Sequence, residues 1–219
     1  MASRPKKKSP RATDGVPLAE ALIARADEMV RREGHEAVSL RPLAASLGVS
    51  HVAALHHFAT RDALLAAVAV RGFDELVTVV GAVARGERPS QGFRRLGEAY
   101  VAWACANANL YKLMFASRLR AGGAHPAVEE RANRLFELVA DVVARGQAAG
   151  ELREAPPEED AFFAWATAHG AALLLVDEQA TFASLGRRSA RALVAAALDG
   201  VGRGTRRDPR GGRDDERRT

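Results

Sequence analysis

The sequence predicts an all-α chain: an N-terminal three-helix unit of helix-turn-helix type, followed by a larger helical domain. Three observations carry this expectation. Apolar residues recur at helical spacing along nearly the whole chain, with no stretch of alternating strand character. The segment Ser39–Phe58 (SLRPLAASLGVSHVAALHHF) reads as two short helices joined by a glycine-containing turn. Breaker clusters at Gly81–Pro89, Gly122–Pro126 and Pro156–Pro157 separate the helices that follow.

Residues 1–15 are rich in Pro, Lys and Ser and lack an apolar face, so a disordered basic arm is expected there. The unit expected at 16–80 begins with a helix over Leu18–Arg32, whose Leu22, Ala26, Met29 and Val30 share one face and which Gly34 ends. In the motif, Leu40, Leu43, Ala44 and Leu47 form one apolar stripe, with Ser39 before it as N-cap and Pro42 in the first turn. Gly48 follows, where a left-handed residue ends a helix cheaply, and Ser50 caps a second helix that buries Val49, Ala53, Ala54 and Phe58. Thr60 caps a longer helix from Arg61 with Leu64, Leu65, Val68, Phe73, Leu76 and Val80 as its apolar residues. A second helical domain is expected at 88–202, with helices over Gln91–Asn107, Leu110–Ser117, Ala127–Ala149, one from Pro157, and one near Arg187–Val201. The Arg-, Gly- and Asp-rich residues 203–219 are expected to be a disordered tail.

Composition excludes several classes. Of 219 residues, 47% are apolar and 27% charged, and the longest nearly unbroken apolar stretch is Ala164–Val176, 13 residues with His169 inside it. A spanning helix needs about 20, so no membrane span is expected. No apolar run follows the basic start, so no secretory signal is expected, and the single cysteine, Cys105, suits a reducing cytoplasm. The net charge of +5 is unevenly placed, with five basic and no acidic side chains in residues 1–13, and seven Arg against four acids in 203–219. From Ala37 to Arg61 there is no Asp or Glu, while Arg41, His51, His56, His57 and Arg61 are present. An acid-free window over a helix-turn-helix suits a polyanion partner, and double-stranded DNA is the expected one.

On that geometry Ser39, Arg41, Ser50, His56, Thr60 and Arg61 are the candidate phosphate contacts. His51, Val52 and Ala53, at the start of the second motif helix, are best placed for base edges. His51 can donate to a guanine, and Val52 and Ala53 can pack on a thymine methyl. Catalysis is not expected: Cys105 has no histidine nearby in sequence, no Ser–His–Asp order stands out, and no phosphate-cradling glycine loop follows a strand. Neither a metal nor a cofactor is expected, because adjacent His56 and His57 diverge by about 100° on a helix and cannot share an ion.

Ser39, Leu43–Ala44, Gly48–Val49–Ser50, His57–Phe58, Arg61 and Leu64–Leu65 resemble the N-terminal pattern of the TetR-type family of bacterial transcription regulators. This chain departs from that pattern at Leu55, where the family usually has tyrosine, and at Val52 and Ala53, where small polar residues are usual. Later, Ala99–Tyr100–Val101–x–Trp103–Ala104, Leu110–Tyr111–x–Leu113–Met114–Phe115 and Trp165–x–x–x–His169–Gly170 resemble the C-terminal branch named for its Trp, His and Gly. The resemblance implies a homodimer on a near-palindromic operator, with 88–202 as the ligand-binding and dimerisation domain. It also implies a repressor released from DNA by a small organic effector. Trp103, Tyr111, Met114, Phe115, Phe162, Trp165 and His169 are the candidate effector contacts, although plain core packing is the ordinary role of such residues and His169 suits a dimer interface equally. The competing expectation is a DNA-binding helical scaffold without effector control.

Overall fold

The computed structural model describes residues 15–86, 89–120, 123–177 and 186–206. Except for Gly15, the expected basic arm lies outside the described residues, as do residues 207–219. Ten α-helices are described in chain order: α1 (Leu18–Glu33), α2 (Leu40–Ser46), α3 (His51–His57), α4 (Arg61–Gly86), α5 (Pro89–Ala106), α6 (Ala108–Met114), α7 (Ser117–Arg120), α8 (Pro126–Ala148), α9 (Pro157–Val176) and α10 (Gly186–Gly204). Among the described residues there is no strand, only an isolated antiparallel bridge between Leu152 and Arg206. The chain forms two units: the residues up to Gly72 with Asn109–Val128, and Phe73–Ala108 with the residues from Glu129.

The first unit is built on α1. Leu22, Ala26 and Val30 are fully buried on its inner face, and Leu40, Leu43, Ala44, Leu47 and Ala54 of the motif are buried with them. Removing such side chains from water contributes about 1.5–3 kcal/mol each for the larger ones. The turn between α2 and α3 is a Schellman motif. Val49 N–H donates to Ala44 O at 3.0 Å and Gly48 N–H to Ala45 O at 3.0 Å. Gly48 holds the left-handed φ of 70° that this pattern needs. Ala53 N–H then donates to Ser50 Oγ at 3.1 Å, capping α3, and Ala63 N–H donates to Thr60 Oγ1 at 3.1 Å, capping α4. Ser39 occupies the N-cap of α2 in extended backbone but makes no side-chain capping bond. Within α3 only Ala54 is buried, and Val49, Ala53 and Phe58 are half-buried.

Two features differ from the sequence expectation. The helix from Arg61 does not break at Gly81 but continues to Gly86, because Gly81 is buried and a Cβ there would meet Leu138 at 3.2 Å. One glycine inside a helix costs only about 1 kcal/mol, which side-chain packing on that scale offsets. The tail does not begin at Arg203: α10 runs to Gly204, and Arg153 N–H donates to Thr205 O at 2.9 Å. Val201 is buried with Val143, Leu152 and Ala161, which anchors this end of the chain. In the second unit α5, α9 and α10 pack pairwise.

The Gly48 turn yields a direct test. Nothing lies within 4 Å of a Cβ built on Gly48, so Gly48→Ala meets no clash and pays only for its left-handed backbone. Thermal unfolding should show a loss of about 1–2 kcal/mol. An unchanged melting temperature would contradict the turn geometry.

Candidate functional site

α3 presents its outer face to solvent. Ala54 is fully buried, while His51, Val52, Leu55, His56 and His57 are exposed, Val52 at 63%. At 100° per residue Val52 and His56 stand nearly opposite Ala54, one turn apart, with Leu55 beside Val52 and His51 a further 40° round. Ser39, Arg41, Ser50 and Thr60 are also exposed. Ser50 and Thr60 each use an oxygen lone pair for a cap, and their O–H groups remain able to donate outward. Ala53 is half-buried.

Arg61 is placed differently from the other candidate phosphate contacts. Its Nε donates to Val38 O at 2.7 Å and its Nη2 to His35 O at 2.5 Å. The guanidinium therefore fastens the start of α4 to the loop between α1 and α2, satisfying two carbonyls. Around it lies a group of charges: Arg61 is 3.4 Å from Glu36 and 3.8 Å from Asp62, and Arg118 of α7 is 3.6 Å from Glu36 and 3.8 Å from Asp62. His35 Nε2 lies 2.9 Å from Glu36 Oε1, an ion-pair distance that favours the protonated ring. Burial opposes it most strongly, followed by the Arg118 guanidinium, with Arg61 adding to both, so the His35 pKa is held below the ordinary 6.5.

In the second unit Val80, Leu96, Tyr100, Leu135, Trp165 and Leu198 line an apolar cavity of about 30 Å³. Leu198 lines it while packed closely against Gly97, where an added Cβ would lie 2.9 Å from its Cδ1. Small organic ligands occupy pockets of roughly 300–1,000 Å³. On the cavity's edge Tyr100 Oη and His169 Nδ1 share a hydrogen bond of 2.9 Å, and the Trp165 and His169 rings stack at 4.9 Å and 13°.

The structure brings together only part of the expected effector set. Trp165 lines the cavity and His169 adjoins it, whereas Phe162 is 59% exposed and Trp103 is half-buried away from the lining. Tyr111, Met114 and Phe115 belong to the first unit, where Tyr111 and Met114 are fully buried and the Tyr111 and Phe115 rings lie 4.9 Å apart. Tyr100 was not among the expected contacts. The signal for it is the buried row Leu96, Tyr100 and Ala104 at i+4 spacing, which excludes Trp103. Among the described residues no group of three or more His, Cys, Asp and Glu could hold a metal ion, and no helix is long and apolar enough to cross a membrane.

The lowered His35 pKa sets the sign of a pH effect. Unfolded, His35 takes up a proton near pH 6.5; folded, it resists until lower pH, so the unfolded chain binds more protons in between. Stability should be full above pH 6.5 and fall as pH drops below it. His35→Gln should reduce that dependence in melts between pH 7.5 and 5.5; an unaltered pH profile would contradict it.

Comparison with known proteins matches these features. The model of "Bacterial regulatory proteins, tetR family" covers residues 22–68, and that of "Tetracyclin repressor-like, C-terminal domain" covers 93–201. No curated protein matches the sequence. Among solved structures, a Rhodococcus sp. RHA1 protein of unknown function shares 33% identity over 87% of this chain and 96% of its own, with a TM-score of 0.76. The TetR family transcriptional regulator PfmR from Thermus thermophilus shares 21% identity over 85% of this chain and 99% of its own, at TM-score 0.63. AibR, solved in complex with isovaleryl coenzyme A and operator DNA, shares 16% identity over 82% of this chain and 97% of its own, at TM-score 0.59. With the helix-turn-helix inside the first matched segment and most of the remaining helices inside the second, the chain belongs to the tetR family of bacterial regulatory proteins.

Proposed function

We propose that this chain is a cytoplasmic, non-enzymatic repressor that binds a near-palindromic operator as a homodimer and leaves it when a small organic effector binds. The observation that carries the DNA reading is the exposed, acid-free face of α3, positioned by the Gly48 turn and the Ser50 cap. Ser39, Arg41, Ser50, His56 and Thr60 supply phosphate contacts, and His51, Val52 and Ala53 face base edges. Arg61 acts chiefly by holding the motif to α4, given its two carbonyl bonds.

The dimer reading rests on α9. This helix is apolar nearly all round, and a helix of that kind is covered on every side in a stable protein. Phe162, Phe163 and Leu174 are nevertheless 59%, 54% and 40% exposed. Phe162, Ala166, Gly170 and Leu174 follow one another at i+4, a ridge with small residues in its middle that suits a second copy of the same helix. Two reading helices would then meet successive major grooves about 34 Å apart. Selection from random duplexes should recover an inverted repeat whose affinity falls steeply with salt. Phe162→Asp should give a monomer that binds this repeat at least tenfold more weakly, losing about the avidity of a second site. A wild-type monomer, or a Phe162→Asp dimer of full affinity, would contradict the proposal.

The effector reading is supported by the family and by AibR, whose structure holds both isovaleryl coenzyme A and operator DNA. In this chain an effector would have to displace Leu198 from beside Gly97 to enlarge the cavity. The nearly filled cavity also favours the second reading, a DNA-binding helical scaffold without effector control. Thermal-shift screening separates the two. A matching small apolar molecule at about 100 times its Kd adds ~2.7 kcal/mol, a rise of several degrees. No stabilisation across a broad apolar library would favour the scaffold.

A further inference from the structure

Between His51 and His57 the sequence HVAALHH carries no Arg, Lys, Asn or Gln. Those are the side chains that make forked or strong hydrogen bonds to guanine and adenine in the major groove. The polar groups on α3 are imidazoles, which offer one ring nitrogen at a time to a base edge. One side of the exposed face is instead apolar: Val52 is 63% exposed and Leu55, three residues on, is 38% exposed, with His56 on the other side of Val52. Val52 stands nearly opposite buried Ala54, so its isopropyl group belongs to no protein core. Ser50 Oγ is engaged by Ala53 N–H, which holds the first turn of α3 in register and Val52 outward.

The major groove offers one apolar feature on its base edges, the C5-methyl group of thymine. We propose that Val52 reads a thymine methyl in each half-site of the operator, with Leu55 extending the apolar strip. Specificity then comes from burying methyl groups rather than from forked hydrogen bonds. This inference rests on the DNA reading proposed above and names the chemistry that the reading helix recognises. A protein surface docking on the same strip would not depend on that methyl, and neither would contacts confined to phosphates.

The test replaces thymine by deoxyuridine, which deletes the methyl and leaves every base-pair hydrogen bond in place. In a duplex recovered by selection, symmetric thymine pairs are replaced one pair at a time, and binding is measured for the wild type and for Val52→Ser. Val52 is outside the core, so the variant folds, and the comparison reads the coupling between side chain and methyl rather than affinity alone. Burying one methyl is worth about a fourfold change, so the two half-sites together predict a loss of about fifteenfold at one thymine pair. Val52→Ser should bind the thymine and uracil duplexes equally, within about twofold. Wild-type indifference to every replacement overturns the inference and leaves the DNA reading intact. So does a loss of equal size in Val52→Ser. Failure of selection to recover any preferred duplex instead overturns the DNA reading, and the inference with it.

Discussion

Everything in the first unit depends on holding a seven-residue helix still. A helix as short as α3 has no stability of its own in water, because nucleation costs more than so few hydrogen bonds return. Three constraints supply what its length cannot. The Schellman turn at Gly48 sets the chain direction between α2 and α3, the Ser50 hydroxyl satisfies an N–H at its start, and Ala54 is fully buried. Only one residue of α3 is buried, so its position comes mostly from its two ends. The same economy leaves five exposed side chains free to face a partner.

The charges beneath the motif serve the same purpose at its far end. Arg61 ties α4 to the loop carbonyls of His35 and Val38, and Arg118 sits beside Glu36 and Asp62 from α7. A segment more than fifty residues beyond the motif in sequence is therefore part of the first unit. α4 contributes residues to both units. In the second unit, Leu198 packs against Gly97 in the wall of the small apolar cavity, and the Tyr100–His169–Trp165 group forms its polar margin.

The motif was legible because its signals are local. Caps, the glycine turn and the apolar stripe each act within four or five residues, and Gly48, Ser50 and Thr60 stand in the structure as their spacing implies. The two carbonyl bonds of Arg61 were not legible for the opposite reason: its partners lie 23 and 26 residues away, and a sequence cannot show whether a basic side chain will meet a carbonyl. Ser39 has the right residue type for a cap and makes no capping bond. In the second half, periodicity finds apolar faces without saying what they face. Trp165, Phe162 and Tyr111 are all large aromatics on helices, yet one lines the cavity, one is exposed, and one is buried in the other unit. The run to Gly86 and the end of α10 were hidden because glycine-rich composition resembles a break wherever packing does not override it.

The central claim is that two copies of α3 enter the major groove of one duplex. Hydroxyl-radical footprinting of the full chain on a selected duplex tests it most directly. The account predicts two protected tracts on one face of the duplex, centred about 34 Å apart and related by a two-fold axis. A single tract, or protection spread evenly along any sequence, would contradict it.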